Sequence, residues 1–180
     1  SADNPIFQYF LEQKADIVCI QEAGHKKELR QLMDSILSPV YPHHETMRSQ
    51  SKESDLLAVY TRFPILKKEL IEYESKGNVS VGFHLLVDGD TVVVINNHLQ
   101  SIGYSEDDKD AFNQIINGET DKERAEVESR KIVDKYQNAL AKRYPQVDSV
   151  LNYIDKYAGY SMIVCGDFND GPISYTRRML

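Results

Sequence analysis

The amino-acid sequence predicts a single α/β domain, and three observations support this fold class. Of the 180 residues, 41% are hydrophobic and 27% are charged, which are ordinary proportions for a globular protein with a buried core. Short apolar runs typical of buried strands alternate with segments whose apolar residues recur at helical spacing. One stretch alternates apolar and polar residues and then turns back on itself, as an antiparallel hairpin does.

The first third of the chain is predicted to form a helix, a strand and a second helix. An apolar stripe that starts at Ile6 has helical spacing. The run that follows it, ADIVCIQE, is typical of a buried strand. Apolar residues then recur at helical spacing over KKELRQLMDSIL, and Pro39 is expected to stop that helix because proline disrupts a continuing helix.

The middle of the chain is predicted to form strands. Residues 55–61 and Ile65–Ile71 have strand character and are separated at Pro64, which disfavours a continuous ladder or helix there. Residues 79–87 then alternate between apolar and other side chains. An Asp-Gly pair suited to a tight turn follows and leads into the apolar run TVVVIN, so this part is predicted to be an antiparallel hairpin.

The charged segment 104–143 is predicted to contain a long, mostly exposed helix. Thr120 and Glu123 form a capping-box pattern ahead of its apolar residues. A further helix is expected after Pro145, and an apolar run typical of a strand follows it. The charged segment is therefore predicted to be a crossover that covers one face of a sheet.

Composition limits the classes of function. The net charge of −7 argues against a protein that neutralises many phosphates of a long nucleic acid. The longest apolar runs are far shorter than the roughly 20 residues that a membrane-spanning helix needs. Cys19 and Cys165 each lie in an apolar run, where a thiol most often serves as a small buried hydrophobe.

Polar clusters follow three of the apolar strands, at the point where each strand ends. Gln21-Glu22 follows DIVCI, Asn97-His98 follows VVVIN, and Asp167-Phe168-Asn169 follows MIVCG. In layered α/β proteins ligands gather at strand ends, because the sheet holds the side chains rigidly while the departing loops leave room for a substrate. We expect these clusters to converge on one site.

The residue types suit phosphoester chemistry assisted by a metal ion. The Glu22 carboxylate suits Mg²⁺, which takes one or two protein carboxylates and completes its shell with water and substrate oxygens. An equal alternative for Glu22 alone is a glutamate at the start of a helix. His98 could donate a hydrogen bond to a phosphoryl oxygen or a proton to a leaving group, although a structural histidine is the commoner role.

The last cluster also allows two interpretations. Asp167 could orient or deprotonate an attacking water, and the Asn169 amide could donate to charge that develops on the phosphoryl oxygens. Alternatively, Asn169-Asp170-Gly171 simply forms a turn. A calcium-binding loop is excluded, because the glycine comes one place early and Arg178 stands where the loop requires glutamate.

Other common sites are absent from the sequence. His25, His43 and His44 have no second ligand pair at zinc spacing, so they are predicted to be solvated histidines in loops, whereas His84 is predicted to lie in a strand and to face either way. The sequence contains no G-x-S-x-G elbow, no phosphate-binding P-loop and no cysteine-pair zinc pattern. With serine hydrolases, NTPases and zinc fingers excluded, metal-assisted phosphoester chemistry is the interpretation that remains.

The motifs ADIVCIQE, NNHLQS and VCGDFND, in this order, resemble those of the endonuclease/exonuclease/phosphatase superfamily, which has the fold of pancreatic deoxyribonuclease. The segment GDFNDGPISYTRRML is also similar to a segment of uncharacterised bacterial members, and LLAVYTRFPI is similar to the strand and turn between the first two motifs. The resemblance spans nearly the whole chain.

This resemblance implies a four-layer α/β (α+β) sandwich, in which two facing mixed β-sheets are flanked by helices, with a divalent-metal site for Mg²⁺ or Mn²⁺ at one end. By the same resemblance, Glu22 would bind the metal and His98 would contact the scissile phosphate. Asp167 would position or activate the water, and Asn169 would stabilise the pentavalent transition state of an in-line attack.

Members of the superfamily also begin with a strand that ends in an asparagine and finish with a Ser-Asp-His segment, and this sequence contains neither. We therefore expect residues 1–180 to be one domain that lacks its first and last strands and belongs to a longer protein. The expected function is a magnesium-dependent phosphodiesterase or phosphatase, with small or lipid-linked phosphoesters favoured over nucleic acid. The alternatives are a nuclease and a catalytically silent binding module that keeps the fold.

Overall fold

Two β-sheets face each other in the computed structural model, which describes residues 5–24, 27–49, 56–171 and 174–180. The elements follow in the order α1 (Pro5–Glu12), β1 (Ile17–Ile20), α2 (Lys27–Leu37), β2 (His43–Met47), β3 (Leu57–Thr61), β4 (Ile65–Ile71), β5 (Val79–Val87), β6 (Asp90–His98), α3 (Glu106–Ile116), α4 (Lys122–Lys156), β7 (Ser161–Asp167) and α5 (Tyr175–Met179). The helices flank the sheets, and the predicted α/β class with two facing sheets is confirmed.

The first sheet has the strand order β1-β3-β2, and its described strands are antiparallel. Its central strand, β3, is buried along its whole length. The prediction that His43 and His44 lie in a loop is wrong, because both belong to β2, which pairs with β3. The His44 ring stacks on the ring of Tyr60 in the neighbouring strand, with 5.3 Å between the ring centroids. His25 lies outside the described residues.

The second sheet has the strand order β4-β5-β6-β7. The predicted hairpin is confirmed, because β5 and β6 pair antiparallel around a turn in which Asp88 and Gly89 both have positive φ angles. β7 lies parallel to β6, so the second sheet is mixed. A parallel pair requires a crossover connection, and α3 and α4 supply it as predicted.

The core between the sheets is formed by aliphatic and aromatic side chains from both of them. Leu57 and Val59 of the first sheet pack in one cluster with Val81, Phe83 and Val94 of the second. The half-buried thiols of the two cysteines pack against the same cluster, consistent with their expected role as small hydrophobes. This shared core holds the two sheets at a fixed separation, and hence also the strand ends that they carry.

A polar cluster fastens α4 to the outer face of the second sheet. The Glu69 carboxylate on β4 accepts hydrogen bonds from the hydroxyls of Tyr153 (2.9 Å) and Tyr157 (2.6 Å) on α4. The imidazole of His84, which is buried on this face, lies 2.9 Å from the Tyr153 hydroxyl. Gly82 makes room for the Tyr153 hydroxyl, because a Cβ at position 82 would lie 2.2 Å from the hydroxyl oxygen. His84 is thus a strand residue that faces α4.

The helices of the crossover differ from the prediction in two respects. The predicted capping box at Thr120 and Glu123 is wrong: Asp121 caps α4, and its side chain accepts from the Arg124 backbone N–H at 2.9 Å. A separate helix, α3, precedes it with a capping box of its own, formed by Ser105 and Asp108.

The expected helix boundary at Pro145 is also wrong, because α4 continues through this residue to Lys156. An interior proline costs a helix about 3 kcal/mol. The turns around Pro145 carry the buried residues Arg143, Gln146 and Val147, whose packing offsets that cost. Within the described residues, no helix combines the length and the hydropathy that crossing a membrane requires.

Candidate active site

The ends of β6 and β7 bring two of the predicted site residues together. Because these strands are parallel, their carboxyl ends lie side by side, and His98 is the register partner of Asp167. The backbone N–H of Leu99 donates to the carbonyl oxygen of Asp167 at 2.9 Å and fixes the point where both chains leave the sheet. The His98 ring is nearly buried, whereas Asp167 is exposed.

Asn169 lies in a turn that also contacts the neighbouring strand end. Its backbone N–H donates to Asp167 Oδ1 at 2.8 Å, and its side-chain Nδ2 donates to the carbonyl oxygen of Leu99 at 2.9 Å. Its φ angle of 50° is in the left-handed region, which asparagine tolerates better than most residues. Asn169 can therefore both form a turn and belong to the site, because the turn orients its side-chain amide.

Glu22 lies just after β1 of the other sheet and reaches the same end of the molecule. Its Oε1 lies 3.9 Å from His98 Nε2, and its side chain is 77% exposed. The backbone at Glu22 has a φ angle of 51°, which is uncommon outside glycine and asparagine. The next residue anchors this conformation, because the Ala23 N–H donates to the carbonyl oxygen of Leu56 at 2.9 Å. A rare backbone conformation held in this way is typical of functional sites.

The buried side chain of Asn96 connects the two sheets beneath these residues. Its Oδ1 accepts from Gln21 Nε2 at 2.6 Å, and its Nδ2 lies 3.3 Å from the carbonyl oxygen of Ile20 and 3.2 Å from that of Ala58. Asn96 therefore ties β6 to both β1 and β3. This role was not predicted from the sequence, although a polar residue at the end of the apolar run TVVVIN is a signal that could have indicated it.

Asn97 and Gly166 form a tight contact between β6 and β7. The Asn97 Nδ2 donates to the carbonyl oxygen of Cys165 at 2.9 Å. Gly166 has a φ angle of 130°, and a Cβ at this position would lie 2.1 Å from the Asn97 carbonyl oxygen. Only glycine fits here, so the glycine of the GDFND segment sets the spacing between the strand that carries His98 and the strand that carries Asp167.

The donor set suits an ion that keeps much of its water shell. Across residues 5–24, 27–49, 56–171 and 174–180, no group of three or more histidine, cysteine, aspartate or glutamate side chains forms a metal cage. Mg²⁺ does not need such a cage, because one or two carboxylates and several oxygens of water or substrate complete its octahedron. The exposed carboxylate of Glu22 fits this mode of binding.

The chain belongs to the endonuclease/exonuclease/phosphatase family, whose family model matches residues 2–180. This family consists of hydrolases that cleave phosphoester bonds with the help of a divalent metal. A sequence search of the curated proteins finds no match.

Solved structures of this fold class resemble the chain. The beta toxin from Staphylococcus aureus has a TM-score of 0.64 and 16% identity, and the match covers 97% of this chain and 60% of the toxin. Sphingomyelinase C from Streptomyces griseocarneus has a TM-score of 0.61 and 16% identity, with coverage of 99% and 60%. D. rerio TDP2 in complex with a single-strand DNA product has a TM-score of 0.57 and 12% identity, with coverage of 94% and 54%. The chain thus spans 60% or less of the length of these three structures.

Proposed function

We propose that this chain carries catalytic residues of a divalent-metal-dependent phosphoester hydrolase that uses water as its nucleophile. The observation that carries the proposal is the meeting of the two sheets at one end, where Glu22 lies 3.9 Å from His98 and His98 is the register partner of Asp167. A carboxylate at the edge of solvent, a nearly buried imidazole and a second carboxylate are the groups that in-line hydrolysis of a phosphoester needs.

In this proposal Glu22 holds the metal ion, Mg²⁺ or Mn²⁺. The bound ion would polarise a phosphoryl oxygen and offset the negative charge of the transition state. His98 would donate a hydrogen bond from its ring to an oxygen of the scissile phosphate. Its low exposure favours this role, because a hydrogen bond is electrostatically stronger where little water competes.

The other two residues would act on the water and on the transition state. Asp167 Oδ1 is held by the Asn169 N–H, which leaves Oδ2 to accept a proton from the attacking water or to orient it. The Asn169 amide has two N–H donors and uses one for the Leu99 carbonyl. The other would stabilise charge on the equatorial oxygens of the pentavalent phosphorus.

For the substrate we propose a small or lipid-linked phosphoester in preference to long nucleic acid. The net charge of −7 supports this preference, because repulsion between the protein and a polyphosphate backbone weakens binding. Sphingomyelinase C and TDP2 with its single-strand DNA product, both similar in fold, represent the two classes that the assay must separate.

The test is a substrate panel assayed with Mg²⁺ or Mn²⁺. The panel contains a phosphomonoester, a small phosphodiester, sphingomyelin in mixed micelles and single-stranded DNA. We expect Glu22→Gln and Asp167→Asn each to lower kcat/KM by about 100-fold or more, since each removes a group that acts on the reacting atoms. The matched control is Asp90→Asn, an exposed aspartate at the opposite end of the strand that carries His98, and it should be unchanged.

Three results would contradict the proposal. Equal rates for the wild type and both variants would remove the assigned roles, and single-stranded DNA as the best substrate would overturn the preference for small or lipid-linked phosphoesters. A folded wild-type protein without turnover of any substrate in the panel would reject hydrolysis and would favour the silent binding module.

A further inference from the structure

A buried arginine lies behind the candidate site and contacts the loops that leave β6 and β7. Arg143 is in α4, and its side chain has no exposed surface. Its Nε and Nη2 donate to the carbonyl oxygen of Gln100 at 3.0 and 2.8 Å. Its Nη1 lies 2.9 Å from Asp170 Oδ2, and the side chain of Asp170 is 3% exposed.

Both partners of Arg143 lie close in the chain to candidate site residues. Gln100 comes two residues after His98, in the loop that leaves β6. Asp170 directly follows Asn169, in the loop that leaves β7. A single planar guanidinium group therefore holds the two loops at a fixed distance from each other, which the fork of five N–H donors of arginine allows.

Two neighbouring groups strengthen this arrangement. On the helix side, the Gln146 Oε1 accepts from the Gln100 N–H at 2.9 Å, so both backbone polar groups of Gln100 are bound to α4. On the loop side, the Thr176 hydroxyl of α5 donates to Asp170 Oδ2 at 2.8 Å. Burial alone would raise the pKa of Asp170, but the Thr176 hydrogen bond and the Arg143 charge outweigh it and lower the pKa, so the ion pair persists at neutral pH.

Stability alone is a weak reason for this ion pair. A buried pair recovers little more than the cost of removing both charges from water, and apolar residues of similar volume often serve as well. What the pair supplies is geometry, because the hydrogen bonds to the Gln100 carbonyl and the 2.9 Å ion pair with Asp170 hold both loops against one side chain. One of these loops carries Asn169, and the strands that lead into them end at His98 and Asp167.

We propose that Arg143 is a positioning residue that sets the place of the loop that carries Asn169 relative to the loop that follows His98. The proposal rests on the proposed hydrolase function and adds a residue that touches neither the substrate nor the metal. Arg143 acts through Gln100 and Asp170, and its loss displaces the two loops relative to each other.

The test uses a double variant that leaves no unpaired buried charge. In Arg143→Met with Asp170→Asn both charges are removed, and the asparagine still accepts and donates near Thr176. A displacement of reacting groups by about 1 Å costs about 100-fold in rate, so we expect kcat to fall by about that factor while KM stays nearly constant. The matched control is Arg130→Met with Glu126→Leu, which removes an exposed ion pair on the same helix and should leave kcat unchanged.

A second variant and a second measurement keep the test independent of folding and of turnover. Arg143→Lys retains a charge beside Asp170 but cannot span both loops, so it should fold normally and still lose kcat. Amide hydrogen exchange of Leu99, Gln100 and Asn169 should become faster in both variants relative to the wild type.

The outcomes separate this proposal from the proposed function. Wild-type kcat in a folded double variant or in Arg143→Lys, with unchanged exchange, would overturn the positioning role while leaving the hydrolase intact. If the wild-type protein hydrolyses nothing in the panel, the proposed function fails. In that case hydrogen exchange alone tests the positioning role of Arg143. Faster exchange at the three amides of the variants supports this role, and unchanged exchange overturns it.

Discussion

Replacing Asn96 with alanine removes the side chain that connects the two sheets beneath the candidate site. The substitution deletes the hydrogen bond from Gln21 and the two bonds to the carbonyl oxygens of Ile20 and Ala58. At about 0.5–1.5 kcal/mol for each bond, the expected loss is about 3 kcal/mol in the free energy of unfolding. For a chain of this size the loss corresponds to a decrease in Tm of about 6–12 °C.

The assay is urea denaturation followed by far-UV circular dichroism, with a thermal scan as a second measurement. Asn113→Ala is the matched control, because this asparagine is exposed on α3, and we expect a change within about 0.5 kcal/mol. We further expect Asn96→Ala to lower kcat, because Gln21 precedes Glu22 and loses its anchor. A change below about 1 kcal/mol for Asn96→Ala would refute the reasoning, because it would show that water satisfies the freed groups at no cost.

Two further predictions concern α4. For Glu69, burial alone would raise the pKa, but the hydrogen bonds from Tyr157 and Tyr153 outweigh it and lower the pKa from 4.5 to about 2. The wild type should therefore be more stable than Glu69→Gln above pH 4.5, and the difference in stability should vanish as the pH falls through about 2. Denaturation experiments in which this difference stays the same between pH 6 and pH 2 would contradict the prediction. Pro145→Ala should raise the free energy of unfolding by about 1–3 kcal/mol, because alanine restores a helical N–H at an exposed position where α4 is already continuous. A Tm lower than that of the wild type would show that the proline serves another purpose.

The strand ends were predictable from the sequence because two local signals coincide there. Glu22, His98 and Asp167 each follow an apolar run, and the change from apolar to polar residues marks the end of a buried strand whatever the rest of the fold is. The hairpin of β5 and β6 was predictable for a similar reason, since alternation and an Asp-Gly turn are both local. The roles of the site residues stay predictions.

The remaining features depend on contacts between distant segments. β2 contains two histidines and lacks the apolar pattern of a strand, so only its pairing with β3 reveals it. The continuity of α4 at Pro145 depends on burial of the turns around it. The role of Arg143 is invisible in sequence, because an arginine in a charged helix is usually solvated, and its partners lie 43 and 27 positions away in the chain.

The parallel pairing of β6 with β7 has a consequence for how the protein folds. His98 and Asp167 are neighbours in space but are separated by the whole α3–α4 connection. Closing so long a loop costs conformational entropy before any stabilising contact forms. The β6–β7 pairing is therefore expected to form late, after the local β5–β6 hairpin. A chain emerging from the ribosome would thus complete its hairpin well before His98 and Asp167 became neighbours, and a partial opening that detached β7 alone would separate these two residues while most of the structure survived.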